Sequence, residues 1–227
     1  MSSHLQREID KLKKDILSLS ALVEGTLQRS VKALKELDFS LAQSVIDTDY
    51  EIDQQEVEIE EECLKIIALH QPVATDLRFI IAVLKINSEL ERIGDAAVNI
   101  AERAYFLAKQ EKTTDSFDFP GMAEKAQWML RSSLDALINH DAALAYKVLL
   151  ADDDVDEMNR EIYLTIQESI RRHPDQLECL VHTLGISRHI ERIGDHATNI
   201  AEDVIYMING EIVRHRSEQF DHEGNAQ

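Results

Sequence analysis

Two cysteines are the whole complement of this chain, too few for a disulfide framework or a Cys-rich zinc site. Cys63 and Cys179 are expected as buried structural thiols. Only 3 prolines and 7 glycines punctuate 227 residues, and aromatics make up 5%; with no convincing strand, an all-helical chain is what remains. Positive charge is also scarce. With 24 Lys and Arg against 43 Asp and Glu, the formal net charge is −19, which argues against nucleic-acid phosphates or anionic lipid as partners. No segment approaches ~18 consecutive apolar residues, and Met1 to Lys14 alternates charges without the apolar centre of a signal peptide. The expectation is a cytoplasmic protein without direct membrane insertion. No Gly-rich phosphate loop is present, no histidine has a glutamate three residues before it, and Ser, Cys and His form no nucleophile-and-base pattern. A non-enzyme is therefore expected.

What the chain does have is helical period. From Leu5 to Leu37, apolar residues recur at Leu5, Ile9, Leu12, Ile16, Leu19, Leu22, Val23, Leu27, Val31 and Leu34, the spacing of one helical face. Asp38-Phe39-Ser40 interrupts it, and Ser40 is expected to cap a second helix from Leu41 to about Leu69. His70-Gln71-Pro72 breaks that helix, with Pro72 expected in the first turn of a third that runs to about Lys109. Residues 110–121 lose the period. The plan then returns: helices over Met122 to Asn139, Ala142 to Arg172 and Asp175 to Asn209, with Asn209-Gly210 as a stop and a polar tail to Gln227.

The return is an internal duplication. Leu34, Leu37, Asp38, Leu41, Asp49, Asp53 and His70 match Leu137, His140, Asp141, Leu144, Asp152, Asp156 and His173 at one constant offset, and a three-residue deletion then brings Glu91 onto Glu191. The predicted architecture is all-α: two tandem three-helix bundles over residues 1–110 and 122–210, with a linker at 111–121 and a tail at 211–227.

The strongest repeat is Glu91-Arg92-Ile93-Gly94-Asp95-Ala96-Ala97-Val98-Asn99-Ile100-Ala101-Glu102, which reappears over Glu191 to Glu202 with only His196 and Thr198 changed. At about 100° per residue, Glu91, Asp95, Asn99 and Glu102 fall at roughly 0°, 40°, 80° and 20°, on one narrow stripe. Glu191, Asp195, Asn199 and Glu202 repeat it. Asp49 with Asp53, and Asp152 with Asp156, form further i,i+4 acidic pairs at the start of the second helix of each half. In an antiparallel bundle that start faces the end of the third helix, so the acidic pairs can meet.

Like charges at this spacing repel by a few tenths of a kcal/mol, so something positive is expected there. Hard oxygen ligands suit Mg, Mn, Ca or oxidised iron; neighbouring Lys or Arg, or solvent on a simple acidic face, are the alternatives. Gly94 and Gly194 cost about 1 kcal/mol each in a helix interior, so close backbone approach or tight helix packing must explain them. Arg92 and Arg192 lie off the stripe. His189 and His196 sit on the far side of the helix from Glu191 and are not expected as ligands of the same site.

The duplicated Glu-Arg-Ile-Gly-Asp…Asn-Ile-Ala-Glu segment, the Asp-x-x-x-Asp pairs and the Gln71-Pro72…Asp76-Leu77-Arg78 run together resemble the PhoU family of phosphate-transport regulators over nearly the whole chain. The resemblance implies paired three-helix bundles whose acidic motifs bind multinuclear metal clusters. Here that role falls on Asp49, Asp53, Glu91, Asp95, Asn99 and Glu102, and on Asp152, Asp156, Glu191, Asp195, Asn199 and Glu202. It implies divalent or trivalent ions, with iron, zinc, manganese and magnesium all open. The implied activity is negative regulation, coupling a phosphate ABC transporter ATPase to a membrane sensor histidine kinase, with the chain acting as a homodimer recruited to the inner membrane face through its partners. The second half departs at His173-Pro174-Asp175-Gln176, so its turn is expected to differ. A metal-dependent enzyme and a metal-free helical scaffold are the alternatives.

Overall fold

The computed structural model describes residues 3–110 and 115–210, so the proposed tail at 211–227 and part of the linker lie outside the described residues. Among the described residues seven α-helices follow one another: α1 Ser3–Glu36, α2 Phe39–Ile46, α3 Asp49–His70, α4 Ala74–Leu107, α5 Phe119–Asn139, α6 Ala142–Arg172 and α7 Leu177–Asn209, with a 3₁₀ turn at Pro174–Gln176 before α7. There is no strand among the described residues. Helices α1, α3 and α4 pack together, as do α5, α6 and α7, and α4 and α7 run along each other between the two halves.

The duplication is visible in the turns. Leu37 and His140, matching positions, both take left-handed backbone with φ of 52°, reversing the chain after α1 and α5. The next residues, Asp38 and Asp141, are the caps: Asp38 accepts from the amides of Ser40 and Leu41, and Asp141 from the amide of Leu144. Asp38 is therefore the cap that sequence reading assigned to Ser40, because an aspartate one residue after the αL position already aims its carboxylate at the open first turn.

The expected helix from Leu41 to Leu69 is two helices. Thr48 ends the first piece by returning its hydroxyl to the Val45 carbonyl at 2.8 Å while accepting from Arg29 Nη2 at 3.3 Å. Its counterpart in the second half is Ala151, which has no such competing donor, and α6 runs unbroken. Pro72 precedes α4 instead of opening it, since Val73 is extended and Ala74 has a φ of 50°. The linker lies three residues earlier than expected, between the end of α4 at Leu107 and the start of α5 at Phe119, which Asp118 caps. The second-half turn does differ, as Pro174 occupies the place of Gln71, whose φ of 47° no proline can adopt; a 3₁₀ turn takes its place, and α7 starts at Leu177 rather than Asp175.

One apolar core runs through both halves, with Leu12, Ile16, Ile52, Ile66, Ile86 and Ile93 on one side and Met129, Val155, Ile186 and Ile193 on the other. A smaller cluster of Ala33, Ala42, Val45, Val98, Ala101 and Ala104 seats α2 on α1 and α4. Both thiols are free; Cys63 is buried, but Cys179 is only partly covered. No helix among the described residues is long and apolar enough to cross a membrane.

Candidate metal centres

The start of α3 lies against the second half of α4, and α6 meets α7 in the same way. Asp49, Asp53 and Asp95 each place a carboxylate oxygen within 4.8 Å of the other two, and so do Asp156, Glu191 and Asp195. Ligand distances of about 2.0 to 2.6 Å let three such oxygens share one hard cation. Asp49 Oδ1 is buried and has no hydrogen-bond partner, an orphaned acceptor at the one point where a cation would satisfy it. The residues present fit a metal ion.

Electrostatics mark the same groups. Burial raises the Asp49 carboxyl above its ordinary value, and Asp53, Asp95 and Glu102 raise it further. Glu91 is raised by burial, then by Asp95, Asp53 and Glu56; Asp95 is raised by burial and Asp53, with Arg192 opposing. In the second half, Asp152 is pushed up to about 6 by burial and by Asp195 and Asp156, against a hydrogen bond from Thr198 Oγ1 at 3.2 Å. Glu191 and Asp195 are raised too, chiefly by burial. Each centre is thus an excess of negative charge that protons or a cation relieve.

Glu91 and Asp152 stand beside the tight groups rather than in them, and neither exposed Glu102 nor half-buried Glu202 belongs to them. Asn99 and Asn199 share the helical stripe but turn elsewhere. Asn99 Nδ2 donates to the Asp95 carbonyl at 2.7 Å, and Asn199 Nδ2 reaches Glu89 Oε2 at 3.1 Å. An amide has donors of its own to satisfy, which angular bookkeeping along one helix ignores. Glu56, which sequence reading leaves out of the site, adds its charge beside the first group. It sits three residues after Asp53, its charge acts on Glu91, and buried Asn87 holds it with bonds to the Glu56 carbonyl at 2.8 Å and Oε1 at 3.2 Å. The 4-then-3 spacing of Asp49, Asp53 and Glu56 was the available signal.

Arg92 pairs with Glu89 at 3.2 Å, while Arg192, from the second half, acts on Asp95 of the first as well as on Glu191 and Asp195. His196 is no part of either acidic group. Its Nδ1 lies 2.7 Å from Glu89 Oε2, so Glu89 of α4 is held by His196 and Asn199 of α7. Burial raises the Glu89 carboxyl, but those two hydrogen bonds together with the charges of His196 and Arg92 bring it below the usual value. His189 lies on the same seam, and burial together with Arg103, Arg192 and Arg188 lowers it to about 4.

The glycines serve helix packing beside the centres. A Cβ on Gly94 would stand 2.8 Å from Ile52 Cδ1 and 3.2 Å from its Cγ2, whereas one on Gly194 would meet Val155 Cγ1 at 3.4 Å and Asp152 Oδ1 at 3.7 Å. Gly94→Ala is therefore expected to destabilise by about 1–2 kcal/mol, overpacking outweighing the gain in helix propensity. Gly194→Ala, in ordinary contact, should be neutral or stabilising by up to about 1 kcal/mol. Urea unfolding of the two variants side by side checks the difference; equal effects would contradict it.

Comparison with known proteins places this geometry in context. The profile of the family described as "PhoU domain" matches twice, over residues 16–104 and 119–204. The "Phosphate-specific transport system accessory protein PhoU homolog" of Aquifex aeolicus is 38% identical over 212 residues, covering 93% of this chain and 96% of its own. The homologue of the same name from Pseudomonas aeruginosa is 36% identical, with 95% and 89% covered. Among solved structures, PhoU from Pseudomonas aeruginosa superposes with a TM-score of 0.88 at 35% identity, covering 91% of this chain and 99% of that one. The phosphate transport system regulatory protein PhoU from Streptococcus pneumoniae gives 0.81 at 29% identity, with 92% and 99% covered.

Proposed function

The chain belongs to the PhoU family, and on that premise we propose that it is an accessory regulator of phosphate uptake and a negative regulator of phosphate-starvation signalling. It works as a metal-binding adaptor, docking on a phosphate ABC transporter ATPase and on a membrane sensor histidine kinase, and has no chemistry of its own. The observation that carries the metal half of this reading is one three-carboxylate group in each half, the two sharing the corresponding positions Asp53/Asp156 and Asp95/Asp195, with the orphaned oxygen of Asp49 in the first. Asp49, Asp53 and Asp95, with Glu91 and Glu56 alongside, would hold ions in the first half; Asp156, Glu191 and Asp195, with Asp152 alongside, would do so in the second. A bound cation supplies neutralisation: it ties α3 to α4 and α6 to α7 and turns two repelling faces into rigid ones. Homodimer formation and a cytoplasmic location belong to the same proposal.

The test is elemental mass spectrometry of the purified protein beside a Glu91→Ala, Asp95→Ala, Glu191→Ala, Asp195→Ala variant whose helicity is checked by circular dichroism. Stoichiometric metal should be present in the first and lost in the second. Pull-down with the detergent-solubilised transporter and kinase, at high and low phosphate, tests the adaptor half separately. A protein that takes up no metal and binds neither partner would sink the reading. Hydrolytic turnover that vanishes with Asp95→Ala would replace the adaptor with an enzyme.

A further inference from the structure

The Gln71-Pro72…Asp76-Leu77-Arg78 run contributes nothing to the acidic centres, yet the structure builds something from it. With Val73 extended and Ala74 at a φ of 50°, α4 starts abruptly, and no side chain caps it. A helix of 34 residues thus opens with free amide donors and the positive end of its dipole exposed. Thr75, Asp76 and Arg78 of that first stretch, Lys13 of α1 and His140 of the α5–α6 turn line a cavity of about 380 Å³, closed below by the end of α7. Lys13 is set over the Phe79 ring at 5.4 Å. Arg78 lies beside Gly210, where an added Cβ would stand 3.9 Å from its Cζ, and its Nε is buried without a partner.

In a chain of net charge −19, this cavity's charged lining is two cations and a histidine against one acid, a local reversal of the chain's overall sign. The duplication sharpens this: the counterparts of Thr75 and Arg78 are Asp175 and Glu178, so the second half has lost the cation at this place. The single acid matters as well. A carboxylate on the wall of a cationic cavity rejects an oxyanion that carries no proton and accepts a hydrogen bond from one that does.

We propose that this cavity binds one inorganic phosphate ion as hydrogen phosphate, its oxygens held by Arg78, Lys13 and the first amides of α4, and its own proton donated to Asp76. Arg78 supplies directional N–H donors and Lys13 a point charge, while the open helix end supplies the rest without any Gly-rich loop. This inference is independent of the adaptor reading and holds or fails whether or not the partners bind. It adds what that reading lacks, a place where phosphate acts on this chain directly.

The test is equilibrium dialysis of the full chain against radiolabelled inorganic phosphate in metal-free buffer, with sulfate as competitor. An Asp95→Ala, Asp195→Ala variant run in parallel separates the cavity from phosphate carried on a bound metal. We expect one equivalent of phosphate bound, unchanged in that variant, with affinity reduced about tenfold or more in Lys13→Gln and in Arg78→Gln. Asp76→Asn should let sulfate compete as well as phosphate does. Lys13 is exposed, so its variant remains folded and decides the matter even if Arg78→Gln does not fold. Absence of saturable binding, binding that Lys13→Gln leaves intact, or binding lost in Asp95→Ala, Asp195→Ala would overturn the proposal. Equal competition by sulfate against the unmodified chain would overturn the role of Asp76. An Arg78→Gln protein that loses stability but keeps its phosphate would reduce Arg78 to a prop for the end of α7.

Discussion

Replacing Asp152 with asparagine should stabilise the metal-free chain by about 1–2 kcal/mol once solvent screening is allowed for, and weaken metal uptake in the second half at the same time. Asp152 is half-buried with Asp195 and Asp156 against it, and its carboxyl is raised from 3.8 to about 6. Its charge therefore opposes folding at neutral pH. Asparagine removes the charge and keeps an oxygen for Thr198 Oγ1, which donates to Asp152 at 3.2 Å. The sign of the pH dependence follows. Between the ordinary carboxyl value of 3.8 and about 6, the folded chain holds a proton that the unfolded chain has released, so unfolding free energy falls as pH rises through that window. Metal-free protein should gain stability on acidification from pH 7 to pH 5, and Asp49, Glu91, Asp95, Glu191 and Asp195, all raised, act in the same direction. Glu89, lowered, works the other way, but only as pH drops into the ordinary carboxyl range. Urea unfolding at several pH values, with and without saturating Mn²⁺, measures all of this. Metal should abolish the gain, because cations and protons compete for the same oxygens. An Asp152→Asn protein less stable than its parent in chelator would refute the account.

The larger loss is expected at Glu89→Ala. One carboxylate, with a side chain 13% exposed, holds His196 Nδ1 at 2.7 Å and Asn199 Nδ2 at 3.1 Å. Truncation strands both groups, and His196 Nε2 is already buried without a partner. Breaking such a buried pair from one side should cost about 2–3 kcal/mol. In a chain of 227 residues that lowers the melting temperature by about 5–10 °C. Glu89→Gln retains an acceptor oxygen and should lose less than half as much. A double-mutant cycle with His196→Ala isolates the pair. Metal content should stay unchanged in Glu89→Ala, which separates this lock from the acidic centres; a melting temperature within about 1 °C of the parent would mean that water replaces the carboxylate.

Much of the site could be read by counting. Helical phase alone put Glu91 and Asp95 on one stripe and Asp49 and Asp53 on another, and the antiparallel order of helices brought the two together. The same counting placed Asn99 and Asn199 on the stripe but could not show that their amide nitrogens reach the Asp95 carbonyl and Glu89, because phase fixes where a Cβ points and not which partner an amide finds. The break at Thr48 carries no Gly or Pro; it depends on a hydroxyl returning to its own helix and on Arg29 from α1. Asp38 lay two residues before Ser40, and two good capping residues so close cannot be ranked without the backbone angle at Leu37. The Glu89, His196 and Asn199 contact is beyond any local signal, since it joins positions more than a hundred residues apart. The cavity at the start of α4 was equally hidden: the sequence showed no basic anion site, because its cations come from α1 and α4 and its open donors from a helix that lacks a cap.

The seam between α4 and α7 also bears on how such a chain can arise. Position for position, Glu89 corresponds to His189, His196 to Ala96, Lys85 to Gly185 and Asp203 to Arg103. Glu89 meets His196, and Lys85 meets Asp203 at 2.9 Å; neither ion pair has a mirror image, since the place opposite Arg103 is held by Gly185. Two copies of the first half joined in the same way would set Glu89 against alanine and Lys85 against arginine. Two copies of the second would set histidine against histidine and leave Asp203 facing glycine. The halves have diverged into lock and key within one polypeptide. A return to the symmetric pair of identical subunits from which a tandem repeat is most simply derived is closed, and the order of the halves along the gene has become a matter of chemistry as well as descent.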